Sequence, residues 1–155
     1  GNFFASGVLA LGPRLGPILW QLPATFRFDA ARMADFFALL PRSTVEAARL
    51  GEQHDDKLAD DRVFLDVDED RPLRHCLEVR HPSFDSAEAY ELMRAQGIGC
   101  VVADSAGKFP MLTEVTSDPD RARTYGAAGR ERATREFSWA SIADTTRALY
   151  AELTA

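Results

Sequence analysis

One window of the 155-residue chain gathers more reactive side chains than any other: His75-Cys76-Leu77-Glu78-Val79-Arg80-His81-Pro82. It reads as a buried strand with an acid, a guanidinium and an imidazole at or near its C-terminal end. In parallel α/β architectures ligands meet that end of the strands, because loops converge there and helix N-termini point the same way. Two further strand ends are polar: Gln21 after Ile18-Leu19-Trp20, and Asp104 after Val101-Val102-Ala103. Side chains alternate along a strand, so Glu78 and Arg80 share a face and Val79 takes the other. That pair either orients a substrate carboxylate or phosphate, or is a structural ion pair that fixes register. His81 is either a general base working near neutral pH or an imidazole that caps a turn. Asp104 and Glu78, on neighbouring strands, suit an acid/base pair or a hard divalent metal. Gln21 either contacts substrate or satisfies backbone groups through its amide.

Other acidic clusters carry less. Asp66-Val67-Asp68-Glu69-Asp70 resembles the start of a calcium loop, but Arg71 stands where the sharp turn needs glycine. Leu77 stands where a bidentate glutamate is needed, so the run reads as a solvated acidic loop. His54-Asp55-Asp56 has ligand types without a helical partner four residues away. Ser105-Ala106-Gly107-Lys108 lacks the upstream glycine of a phosphate loop, and no dinucleotide, nucleophile-elbow or zinc-protease signature is present.

The elements that would position these residues follow from periodicity. Phe3, Phe4, Val8 and Leu11 predict a helix over 2–12, stopped by Gly12-Pro13. Pro17 to Pro23 encloses a short continuous apolar run, the pattern of a strand covered on both faces. Asp29 caps a helix with Met33, Phe36, Phe37 and Leu40 on one face. Ser43 caps another over Thr44 to Leu50, with Glu46 completing a capping box. Residues 51–74 carry nine acidic and four basic side chains, a surface excursion with a short edge strand at Val63-Phe64-Leu65. After the strand at Cys76–Val79, Ser86 caps a helix that stops at Gly97, and Gly99 to Asp104 reads as the next strand. Behind Ser117 or Asp118, Pro119 opens a helix to about Phe137. Ser138 caps a last one with Trp139, Ile142, Thr146, Leu149, Tyr150 and Leu153 on one face.

Composition bounds the function classes. The length suits one domain, and 46% hydrophobic with 27% charged residues describes a folded globular chain. A net charge of −6 argues against a nucleic-acid surface and against anionic membrane. No apolar run approaches the roughly 20 residues that span a bilayer. Cys76 and Cys100, without CxxC spacing, read as buried free thiols of a reducing compartment, which makes the expected location cytoplasmic.

Leu15-Gly16-Pro17-Ile18-Leu19-Trp20-Gln21-Leu22-Pro23, Leu77-Glu78-Val79-Arg80-His81-Pro82-Ser83 and Val101-Val102-Ala103-Asp104 together resemble the family named domain of unknown function 72. The resemblance covers residues 3–117 and the middle of the family's pattern. It implies a TIM-barrel-like fold with a site at the C-terminal face, where Gln21, Glu78, Arg80, His81 and Asp104 would lie. From Asp118 onward, Asp118-Pro119-Asp120-Arg121-Ala122-Arg123, Gly126-Ala127-Ala128-Gly129-Arg130 and Glu136-Phe137-Ser138-Trp139 resemble the C-terminal helices of family 4 GT-B glycosyltransferases. No sugar-nucleotide-binding residue accompanies them.

These readings lead to an α/β chain: a partial TIM-like barrel of parallel strands over 1–117 with outer helices, then a two-helix tail over 118–155. The meeting of two resemblances near Ser117 suggests a fusion or a fragment. Glu78, Arg80, His81 and Asp104 are the expected catalytic residues and Gln21 the substrate contact; the sequence identifies no cofactor, and a divalent metal is one candidate. The expected function is a remnant of a metal-assisted hydrolase or phosphoesterase. The alternatives are a non-catalytic structural or interaction fragment and a glycosyltransferase fragment. Exposed barrel edges would favour self-association.

Overall fold

The structure is a computed structural model that describes residues 1–136 and 138–153. Phe137, Thr154, Ala155 and the side chains of Glu136, Trp139, Ser141, Glu152 and Leu153 lie outside the described residues. Part of the apolar stripe expected on the last helix therefore lies outside them too. The chain is α/β and divides into two compact units, Gly1–Ser117 and Asp118–Ala155.

The first unit is built on a three-stranded parallel sheet in sequence order: β1 (Ile18–Gln21), β2 (His75–Glu78) and β3 (Gly99–Cys100). Around it lie α1 (Asn2–Ala5), α2 (Ala30–Ala38), α3 (Thr44–Gly51) and α4 (Ala87–Ala95). The helix caps read from sequence are present. Asp29, Ser43 and Ser86 accept from the backbone N–H of Arg32, Glu46 and Ala89. Each satisfies one of the orphan donors of a first turn. Glu46 reaches back one residue further than a standard capping box, taking the Arg42 N–H at 2.6 Å. Gly97, at φ 61°, ends α4 in the left-handed region that favours glycine.

Three expectations change. The helix over 2–12 is two pieces, α1 and a 3₁₀ stretch Val8–Arg14, because Gly7 at φ 99° turns the chain between them. The edge strand at Val63-Phe64-Leu65 reduces to an isolated bridge between Ser6 and Phe64. The strand expected over Gly99–Asp104 stops at Cys100. β2 ends at Glu78, and the Val101 N–H to the Leu77 carbonyl (3.0 Å) is the last bond across. On the far edge of β3, the Thr116 hydroxyl takes the Cys100 N–H (2.7 Å) and donates to the Ile98 carbonyl (2.6 Å). Thr116 thus holds the place a fourth strand would take. The second unit holds α5 (Pro119–Glu136) and α6 (Trp139–Leu153), with Asp118 capping α5 through the Arg121 N–H. None of the described helices is long and apolar enough to cross a membrane.

The two sheet faces have different surroundings. Ile18, His75, Leu77 and Val79 are buried against the helices. Met33, Phe37, Phe84, Met93 and Ile98 fill the layer on the α2 and α4 side, and Phe4, Leu9, Ala47 and Leu73 fill it on the α1 and α3 side. The opposite face carries Leu19, Gln21, Cys76 and Glu78, and Leu19 remains 53% exposed. The continuous apolar run of β1 is therefore covered on one face, not two, among the described residues. Register also separates the cysteines: Cys76 pairs with Gly99, and Cys100 with Leu77, so the two thiols point to opposite faces.

On the covered face lies a chain of hydrogen bonds that joins β1, β2 and the α2–α3 connection. Trp20 Nε1–H donates to His75 Nδ1 (3.1 Å), and His75 Nε2–H donates to the Pro41 carbonyl (2.7 Å). Both ring nitrogens of His75 are satisfied only when the ring is neutral. Burial lowers its pKa from the ordinary 6.5, against the pull of the Pro41 carbonyl. A base held below its unfolded pKa stabilises the fold fully above about pH 6.5, and that contribution fades as pH falls toward the folded value. The thermal midpoint should therefore drop between pH 7 and pH 5. His75→Gln should cost roughly 1–3 kcal/mol at pH 7 by leaving buried partners unmet, and should flatten this part of the pH dependence. An equal slope in both proteins would remove His75 as its source.

Candidate functional site at the strand ends

The register that pairs Ile18 with His75 also pairs Gln21 with Glu78, the last residues of β1 and β2. Two residues beyond Glu78, Arg80 returns to the same face. Its Nε–H donates to Glu78 Oε1 at 3.2 Å, and its Nη2–H donates to Gln21 Oε1 at 2.7 Å. The guanidinium also lies over the Phe109 ring, 4.9 Å from the centroid. Three of the five residues singled out by sequence therefore meet around one cation. The Glu78 and Arg80 side chains keep 17% and 32% of their surface exposed, so the pair is half-buried at the rim of the open face. Arg80 Nη1 has no hydrogen-bond partner among the described residues.

His81 stands just beyond. Its Nδ1 accepts the Ser83 N–H (3.1 Å) and lies 2.8 Å from the Ser83 hydroxyl, capping the short 3₁₀ turn Pro82–Phe84. Ser83 Oγ in turn accepts the Phe28 N–H (2.8 Å), tying this turn to the chain ahead of α2. With Nδ1 accepting, the proton of the neutral ring sits on Nε2, so that nitrogen is a donor and not a base. Asp104 lies on the exposed loop after β3, where its Oδ1 accepts the Ala106 N–H (3.0 Å). It is a loop carboxylate, not the strand residue its spacing suggested.

The structure gathers no ligand set around Glu78 and Asp104 for the divalent metal considered from sequence, among the described residues. Among the described residues no group of three or more His, Cys, Asp or Glu side chains stands where it would hold a cation. Glu78 is also committed to Arg80. Within the acidic stretch, Asp68 accepts both Arg71 Nη1 (2.6 Å) and Nη2 (2.9 Å), which brings its carboxyl down to about 2. Asp55 accepts from Asn2 and from the Lys57 N–H, which also lowers its pKa. The thiols are poor nucleophiles. Burial raises Cys76, and burial with the nearby Glu114 charge pushes Cys100 up to about 11.

Sequence reasoning missed Phe109 as a neighbour of Arg80, with Lys108 over the same ring, and missed the Trp20–His75 bond. Ser105-Ala106-Gly107-Lys108 invites comparison only with the phosphate-loop pattern. An aromatic residue after a polar loop carries no local signal that it will pack under a distant arginine.

A family profile described as "Protein of unknown function DUF72" matches residues 1–154. Among curated proteins, alpha-maltose-1-phosphate synthase of Mycolicibacterium smegmatis is 41% identical over 75 residues, 48% of this chain and 16% of that protein. The protein of the same name from Mycobacterium tuberculosis (H37Rv) is 35% identical over 75 residues, with the same coverage. The chain thus spans about a sixth of the length of these relatives. No solved structure shows a significant match.

The energetic weight of the site's central pair is measurable. A half-buried pair falls between the ~0–1 kcal/mol of exposed ion pairs and the about 3–5 kcal/mol lost on breaking buried ones. Glu78→Ala should lower urea stability by about 1–3 kcal/mol, and a double-mutant cycle with Arg80→Ala should show coupling above roughly 0.5 kcal/mol. Coupling within error would reduce the pair to a solvated contact.

Proposed function

The chain belongs to the DUF72 family of proteins of unknown function, and from that membership we propose an arc of a TIM-barrel-like protein that binds an anionic group at its strand ends. In this reading the three parallel strands are neighbouring staves, the open face that carries Leu19 and Glu78 is the barrel interior, and Thr116 marks the edge where a further strand would pair. Residues 1–117 form the barrel part and 118–155 the helical tail.

One observation carries the functional reading. Arg80 is held from two sides by Glu78 and Gln21, rests on Phe109, and keeps Nη1 unengaged at the C-terminal ends of parallel strands. A guanidinium fixed this way loses little side-chain entropy when an anion arrives, and its planar fork suits a phosphate or carboxylate. The name of the mycobacterial relatives refers to a phosphorylated sugar, which supports phosphate as the group bound. Within the reading, Arg80 holds the phosphoryl group, Gln21 and Glu78 hold Arg80, and His81 donates through Nε2–H. Asp104 accepts the proton of a water that attacks phosphorus while the ester P–O bond breaks, and the leaving alkoxide takes its proton from solvent. In this reading the chain is a phosphoester hydrolase remnant.

A second reading has its own observation. Leu19, 53% exposed at mid-strand, lies on the outermost strand of the sheet, and unpaired edges with apolar faces invite association. Here the chain is an interaction fragment that pairs with a second copy. Light scattering decides it: a dimer that Leu19→Lys returns to monomer supports this reading, and a wild-type monomer removes it.

For the first reading, inorganic phosphate should raise the thermal midpoint relative to chloride at equal ionic strength. At a hundred times the dissociation constant the stabilisation would be about 2.7 kcal/mol, a shift of several degrees. Arg80→Gln should abolish the shift. A midpoint blind to phosphate in the wild-type chain would sink the proposal.

A further inference from the structure

We infer that Lys108 supplies a second cationic contact to the anion held by Arg80, so that the site selects a doubly charged phosphate group over a singly charged carboxylate. The inference rests on the anion-binding reading above and names the substrate class of that site.

Phe109 links the two cations. Arg80 Cζ lies 4.9 Å from the ring centroid and Lys108 Nζ 5.3 Å from it. The two positive centres are therefore no more than about 10 Å apart, roughly one Debye length at 0.1 M salt. Arg80 is partly neutralised by Glu78. Lys108 has no ion pair among the described residues. A dianion placed against both is attracted by two positive charges, and a carboxylate monoanion gains less from the second.

The loop that carries Lys108 is held in shape by its own hydrogen bonds. Asp104 Oδ1 takes the Ala106 N–H (3.0 Å), and Ser105 Oγ takes the Phe109 N–H (2.7 Å) and donates to the Phe109 carbonyl (3.2 Å). The Lys108 N–H donates to the Ser105 carbonyl (3.2 Å). Ala106 at φ 52° and Gly107 at φ 82° occupy the left-handed region in succession. Alanine adopts that conformation only where its surroundings enforce it. The loop therefore presents Phe109 toward Arg80 and leaves Lys108 exposed beside it. Asp104, singled out by sequence as a catalytic acid, is in this inference also a positioning residue for Lys108.

The test is calorimetric titration of the full chain with inorganic phosphate and, separately, with acetate, at fixed ionic strength and a pH where phosphate is dianionic. Phosphate should bind about tenfold or more tightly than acetate. Lys108→Gln should weaken phosphate about tenfold and acetate no more than about twofold. Lys108→Arg should retain the preference, and Lys57→Gln, a lysine remote in sequence, should change neither. Lys108 is exposed, so its variants should keep the wild-type melt. If both anions bind, and Lys108→Gln weakens neither or both alike, the inference is overturned while the Arg80 reading stands. If neither anion binds the wild-type chain, or Arg80→Gln leaves binding intact, both fall.

Discussion

The parallel register of β1 against β2 is the constraint on which the rest of the first unit depends. Because Ile18 lies opposite His75, Trp20 lies opposite Leu77 and its indole reaches His75 on the helix-covered face. The same offset sets Gln21 opposite Glu78 on the other face, where Arg80 can bond both. A slip of one residue would turn each strand over. It would bury Glu78 against Leu77's neighbours and carry the His75 ring away from the Pro41 carbonyl. Fold and site are therefore specified by one pairing, read on its two sides.

Polar groups do much of the specifying. Apolar residues such as Leu77, Phe37 and Met93 supply most of the driving force, at about 1.5–3 kcal/mol for each side chain taken fully out of water. Hydrophobic contact is non-directional, however, and would tolerate several registers. The Trp20–His75–Pro41 chain and the Thr116 hydroxyl bridging Cys100 and Ile98 tolerate one each. Arg42 adds a third such device. Its guanidinium donates to the Phe37 carbonyl and the Gln96 carbonyl, satisfying the last turns of α2 and α4 from a single side chain.

How much of this was legible depends on the range of the interaction. Caps at Asp29, Ser43 and Ser86 depend on neighbours three residues away, and sequence placed them correctly. The strand ends at Gln21 and Glu78 were legible because an apolar run ending in a polar residue marks a boundary. The end of β3 was not. Val101-Val102-Ala103 has strand chemistry, but a strand extends only as far as its neighbour does, and β2 stops at Glu78. The one-sided cover of β1 was hidden for a related reason. Continuous hydrophobicity says that both faces tolerate burial, and whether anything lies over Leu19 depends on chain elsewhere. The grouping of Gln21, Glu78 and Arg80 could be anticipated from alternation alone. The arrival of Phe109 under Arg80 from 29 positions away could not.

An anion site on a chain of net charge −6 looks self-defeating, and salt screening answers part of the objection. In the acidic stretch 51–74, Asp68 and Glu69 are paired with Arg71. At physiological salt, charges beyond about 8 Å of solvent contribute little. In this reading an approaching phosphate feels the groups it touches: Arg80, with Glu78 bonded to one side of it, and Lys108, whose ammonium lies over the same Phe109 ring. Glu78 both weakens and enables that site, since its charge subtracts from Arg80 while its hydrogen bond fixes the guanidinium. A free arginine would attract more strongly from afar and hold less firmly in contact. The pairing with Glu78 trades long-range attraction for preorganisation, and this makes the uncompensated charge on Lys108 the term that sets how many negative charges the site prefers.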